Sequence, residues 1–108
     1  MGYKHEDMDA AKMTVSASTT SSITAFSGTN ATRIHHANIY NTSTTLSATI
    51  YLKAHEGTIN QDVVLRRTIL QPEQHTTWAG GLGADDWFII EAHNDDNGNN
   101  IVLDVTWW

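Results

Sequence analysis

The 108-residue chain contains no cysteine and one proline. Without cysteine it can form neither a disulfide nor a thiolate metal site, and a small domain of this kind is expected to be made and folded in a reducing cytoplasm. Basic residues are scarce: six Lys and Arg stand against twelve Asp and Glu, for a formal net charge of −6. So acidic a chain offers no basic face to a polyanion, and nucleic acid is not expected as a partner. No run of residues approaches the length of a membrane span, and the polar start MGYKHEDMDAAKM lacks the apolar core of a signal peptide. Membrane insertion is therefore not expected. The helical period is also missing, since beyond residue 12 no segment sustains apolar residues at i, i+3, i+4 and i+7.

What remains is strand chemistry. The stretch from 33 to 54, RIHHANIYNTSTTLSATIYLKA, reads as a hairpin in which two β-rich runs meet at the polar cluster Asn41 to Thr44. In the second run Leu46, Ala48, Ile50, Leu52 and Ala54 alternate with Ser47, Thr49, Tyr51 and Lys53, the period of a half-buried strand. Upstream, Val15 and Ala17, then Ile23 and Ala25, are spaced in twos, which predicts two short strands or one bent near Thr20 to Ser22. Downstream, residues 61 to 70 read as a strand in which Val63, Leu65, Arg67 and Ile69 share one face. On that face Arg67 needs a strand end or a carboxylate partner such as Glu91 or Asp104. Pro72 ends that strand, and a short one from His75 to Ala79 is expected to close at Gly80, Gly81 and Gly83. The last third reads as a hairpin, with Asn97 and Gly98 suited to the positive φ of a tight turn.

These signals predict an all-β domain: an antiparallel β-sandwich, Ig-like or jelly-roll-like, of seven to eight strands over residues 13 to 108. Residues 1 to 12 read as a flexible N-terminal arm, with a helical turn around Glu6 to Lys12. The 40% apolar content suits a two-layer sandwich in which each strand has one wet face.

No motif specifies a chemistry. Of the six histidines, His35 and His36 are adjacent in a strand and point to opposite faces, while His55, His75 and His93 fall at strand ends or turns. No metal site is expected from that spacing. HNDDNGNNIVLD, residues 93 to 104, imitates part of a calcium loop, yet begins at His93 and ends at Asp104 where a bidentate glutamate is needed. The glycines at 80, 81 and 83 lack the GK[ST] of a phosphate loop, no hydroxyl stands in a nucleophile elbow, and Asp85 with Asp86 suits a turn. Catalytic residues, cofactor-binding residues and cofactors are accordingly expected to be absent. Of the terminal pair, one of Trp107 and Trp108 should enter the core and the other lie at an edge or in a subunit contact.

Several turns and strands carry a resemblance. They are the "I-x-N-T-S" turn at Ile39 to Ser43, the strand SATIYLKA, the turn Pro72-Glu73-Gln74, and the "G-A-D-D-W" entry from Gly83 to Trp87. In their order the chain resembles small bacteriophage virion proteins with a β-sandwich fold. The resemblance implies a capsid decoration or cement protein that stabilises the outside of a phage head, or a tail or neck subunit. It further implies the major capsid protein as partner, a homo-oligomer such as a trimer, and a place on the virion surface after synthesis in the bacterial cytoplasm. The candidate contacts are the arm residues Tyr3, Lys4, His5, Glu6, Asp7 and Met8, with Trp107 and Trp108. A lectin-like carbohydrate-binding module is the other reading, with Trp78 beside the glycine loop as its stacking residue.

Overall fold

Alternation is strict where the chain is most buried. In β4 (Ala48–Glu56) the side chains of Ala48, Ile50, Leu52 and Ala54 are buried and those between them half-buried. β8 (Ile101–Trp107) repeats the pattern with Ile101, Leu103, Val105 and Trp107. One face of each strand is therefore removed from water, and two such faces must meet. The structure, a computed structural model, describes residues 9–25, 32–57, 59–84 and 87–108. Among them are six further strands: β1 (Asp9–Val15), β2 (Thr20–Ala25), β3 (Thr32–Asn41), β5 (Gln61–Leu70), β6 (His75–Ala84) and β7 (Trp87–His93).

The strands form two four-stranded antiparallel sheets, here called A, in the order β1-β8-β3-β6, and B, in the order β2-β7-β4-β5. β1 pairs with β8, β2 with β7, β3 with β6 and β4 with β5, as in one long hairpin rolled into a sandwich. Contacts of β3 with β8 and of β4 with β7 close the roll. That order is the jelly roll, which settles the alternative left open by the strand pattern. The core between the sheets contains Val15, Ile39, Ile50, Leu52, Phe88, Ile90, Leu103 and Trp107.

Two asparagines hold corresponding corners. Asn41 is fully buried; its Nδ2 donates to the carbonyls of Leu46, Leu70 and Gln71 at 2.8, 3.1 and 3.2 Å, and its Oδ1 accepts from Ser43 N. Asn94 does the same after β7, donating to Val15 O and Asn99 O and accepting from Asp96 N. Beside each lies a tight turn whose third residue has a positive φ, Glu73 at 58° and Ser18 at 57°. The two corners correspond in sequence order: Asn41 ends β3 and Asn94 follows β7, while the two turns follow β5 and β1.

This topology corrects several expectations. The segments 33 to 54 and 87 to 107 are arches: β3 and β8 lie in sheet A, β4 and β7 in sheet B. A hairpin and an arch share the same inward alternation, so periodicity cannot separate them. The hairpin is β4 to β5. Gly98 does not adopt the positive φ of a tight turn, and Asn97 is not among the positive-φ residues. The Asn94 and Asp96 side chains shape that longer loop instead. β1 begins at Asp9, so residues 9 to 12 are strand rather than arm, their Ala and Lys helix preference overridden by the ladder to β8. β6 continues through Gly80, Gly81 and Gly83, paired to β3 across a register shift between Ile34 and His36.

Candidate functional site

β5 is the edge of sheet B, and its face assignment differs from simple alternation. The register slips between Leu52 and Lys53, so that Val64 lies opposite Lys53, Arg66 opposite Leu52, and Leu65 is the extra residue of a bulge. Leu65 packs against the core, and beyond the bulge the inward positions are Thr68 and Leu70. Val63, Val64 and Ile69 are 40%, 51% and 50% exposed, and Ile59 in the preceding turn 57%. Arg67 does not share a buried face with Val63 and Ile69. It is exposed, its Nε donates to the Tyr51 hydroxyl at 3.4 Å, and its guanidinium lies 5.9 Å from that ring.

The carboxylates proposed for Arg67 are held elsewhere. Glu91 binds Lys53 Nζ through both oxygens, at 3.0 and 3.1 Å, and receives His93 Nε2 at 2.8 Å. Asp104 pairs with Lys12 at 2.7 Å on the outside of sheet A. On the other side of the ring, His93 Nδ1 lies 3.3 Å from the Thr20 hydroxyl. Burial works to raise the Glu91 carboxyl, but the His93 and Lys53 hydrogen bonds and their positive charge outweigh it and hold it below the ordinary glutamate range. Tyr51 tilts against His93 with ring centroids 5.1 Å apart, and Lys53 Nζ lies 5.6 Å from the Tyr51 ring. Thr20, His93, Glu91, Lys53, Tyr51 and Arg67 thus join β2, β7, β4 and β5 across the outer face of sheet B. At its β5 margin stand Val64 and Ile69.

Tyrosine and arginine, both on this face, are residue types enriched in protein contacts. The polar positions of β4 were legible from alternation, but their partners Glu91 and His93 depend on the β4 to β7 pairing, which no local pattern reveals.

The remaining candidates are placed as follows. Trp107 is 8% exposed and belongs to the core, while Trp108 stacks on His36 at 5.1 Å and exchanges two backbone hydrogen bonds with it. A buried Trp107 leaves Trp108 as the ring of that pair on the outer surface. Trp78 is buried at 9% exposure, so it cannot serve as an open stacking platform for a sugar. Tyr3, Lys4, His5, Glu6, Asp7 and Met8 lie outside the described residues. Likewise, the side chain of His35 and the pair Asp85 and Asp86 are not described. His55 Nδ1 donates to Asp62 at 2.8 Å near the end of the β4 to β5 hairpin. In the loop after β7, Asp96 Oδ2 accepts from Gly98 N and Asn99 N, which hold its carboxyl below the ordinary aspartate range and turn it towards the loop itself. Among the described residues no three His, Asp or Glu side chains are grouped to hold a metal. No helix there is long and apolar enough to cross a membrane.

Fold and surface together define an eight-stranded jelly-roll sandwich with a charged, aromatic sheet face. No protein-family profile and no curated protein sequence matches the chain. Two solved structures are similar in fold. The Yersinia pseudotuberculosis-derived mitogen has a TM-score of 0.65 at 12% identity, over 93% of this chain and 83% of that one. PirA has a TM-score of 0.62 at 12% identity, over 91% of each chain. At such identity the likeness extends to the fold alone. Neither is a virion protein by name, so the phage resemblance gains nothing from them.

Proposed function

We propose that this chain is a non-enzymatic binding module that grips a protein partner with the outer face of sheet B. The observation that carries the reading is the company Tyr51 keeps: Arg67 and Lys53 against its ring, with Val64 and Ile69 half-exposed along the neighbouring edge strand. Tyrosine and arginine are among the residue types that dominate contact centres, and exposed aliphatic groups beside them can exclude water around such a centre. The internally bonded Glu91, Lys53 and His93 fix the orientation of that centre. Decoration of a phage head, with the major capsid protein as partner, is the form of this role that the sequence resemblance implies.

The test uses particles purified from the lysate that yields the protein, with bound copies counted by quantitative immunoblot. Tyr51→Ala and Ile69→Lys are expected to fold normally and to lower the bound copies at least about tenfold from a wild-type level on the order of hundreds. Unchanged occupancy in both variants would overturn the reading. So would a glycan array on which wild type binds and Tyr51→Ala does not, since the face would then be a sugar platform.

A further inference from the structure

β5 is an edge of sheet B, and no described strand pairs with its free side. Among the described residues, the large hydrophobic side chains that stand exposed are Val63, Val64 and Ile69 of β5 and Ile59 in the turn before it. Charge is distributed as unevenly. The chain is acidic overall, and of the Lys and Arg side chains described, Lys12 is paired to Asp104 and Lys53 to Glu91. Arg66 and Arg67, side by side on β5, have no carboxylate bound to them among the described residues. Arg66 Nη1 donates to the carbonyl of Leu65, and Arg67 Nε to the Tyr51 hydroxyl. Arg66 lies opposite Leu52, which points into the core, and Arg67 opposite Tyr51 on the outer face, so the two side chains leave the strand on opposite sides.

We infer that this edge takes up an extended segment of the protein that sheet B grips, added antiparallel to β5 and bearing two consecutive acidic residues. The inference rests on the binding role assigned to sheet B and names the part of the partner that is held. Charge complementarity selects a strand as the occupant. Consecutive residues of a strand point to opposite faces, so adjacent carboxylates reach Arg67 on the outer face and Arg66 on the other. A single anion lying on one face reaches only one of them. Beyond the bulge at Leu65, the stretch from Arg66 to Leu70 is in regular register with β4 and offers an unbroken ladder. In antiparallel pairing the segment then reads apolar, any residue, acidic, acidic. Its apolar residue falls opposite Ile69, and its acidic pair opposite Arg67 and Arg66. Backbone bonds supply the affinity and these side chains the selectivity. The Arg66 guanidinium turns from the Leu65 carbonyl to its carboxylate. Val64 is on the other side of the bulge, opposite Lys53, and stays on the outer face for the rest of the partner. A second β5 is a poor occupant of this stretch, because antiparallel pairing about Arg66 or Arg67 sets guanidinium against guanidinium.

A capped synthetic peptide, TVITEDTV, titrated against the full chain tests the site, with amide hydrogen exchange measured on the complex. Binding is expected to add protection to amides of β5 between Arg66 and Leu70. A peptide with Lys-Lys in place of Glu-Asp is expected to bind about tenfold weaker or less tightly still. Arg66→Glu and Arg67→Glu are each expected to weaken binding of the acidic peptide by about tenfold, and the double variant to bind the Lys-Lys peptide to within about threefold of the original pair. N-methylation of the acidic peptide on its β5-facing edge is expected to abolish binding. No binding up to about 1 mM, equal binding of the N-methylated or Lys-Lys peptide, or unchanged exchange in β5 would overturn the inference. So would a chain that associates with itself through β5 and takes up no peptide. The two proposals fail separately. If the peptide does not bind yet Tyr51→Ala still loses the particle, the binding face stands without the added strand. If the peptide binds with this charge dependence but no sheet B variant affects particle occupancy, the binding role is overturned and the acceptor edge remains.

Discussion

Asn41 and Asn94 each satisfy several backbone groups at a place where water cannot. Replacing Asn41 with Ala leaves the carbonyls of Leu46, Leu70 and Gln71 without that donor, and Asn94→Ala strips Val15 and Asn99. Each substitution is expected to cost about 3 kcal/mol, read as a lower urea midpoint at unchanged slope. Gly98→Ala is the contrast in the same series. A Cβ there would meet only Asp96 Oδ2, at an ordinary 3.8 Å, and the backbone is not in the left-handed region. It is expected to be neutral or to stabilise by up to about 1 kcal/mol through the unfolded chain. At this scale the sequence misled in an instructive way. An Asn-Gly pair between apolar runs is the usual mark of a tight hairpin, yet the controlling residue is Asn94, three positions earlier in its loop than Asn97. Asn41, by contrast, lay in the polar cluster recognised as a turn, although nothing local said it would be buried.

Strand β4 was legible because one face is buried along its whole length; β5 was not, because a bulge exchanges its faces midway. That slip is why Arg67 arrives beside Tyr51 rather than among buried side chains. The ends of β1 and β6 were obscured by composition, since Ala and Lys favour helix and Gly weakens strands unless a neighbour supplies the ladder. The sheet B network makes an acid-range prediction. Glu91 has its carboxyl depressed in the fold, so its contribution is fully present above the unfolded value of about 4.3 and is lost as pH falls through the lower folded value. Wild type is expected to be more stable than Glu91→Gln at about pH 7, with the gap closing towards about pH 3. Urea melts of both proteins across that range check it, and a gap that persisted at the acid end would remove Glu91 as its source.

At the scale of the whole molecule, the all-β sandwich was readable because apolar alternation and turn residues recur along the chain. The route of the chain was not. Arches and hairpins bury the same residues, and only the pairing of β3 with β6 and β8, and of β7 with β2 and β4, shows that both apparent hairpins cross between sheets. The crossing gathers polar side chains of four strands on one outer face and puts β5 at its edge. The outer face of sheet A provides the internal comparison, with Lys12 paired to Asp104, Thr77 bonded to Asn38, and Trp108 stacked on His36. Hydroxyl-radical footprinting of the chain, free and bound to the phage particle proposed as its partner, reads both faces at once. Binding is expected to protect Tyr51, Val64 and Ile69 while Trp108 and Tyr40, which lies opposite Asp104 in sheet A, stay as reactive as in the free chain. Protection of Trp108 and Tyr40, with Tyr51, Val64 and Ile69 unchanged, would contradict the assignment of sheet B as the binding face.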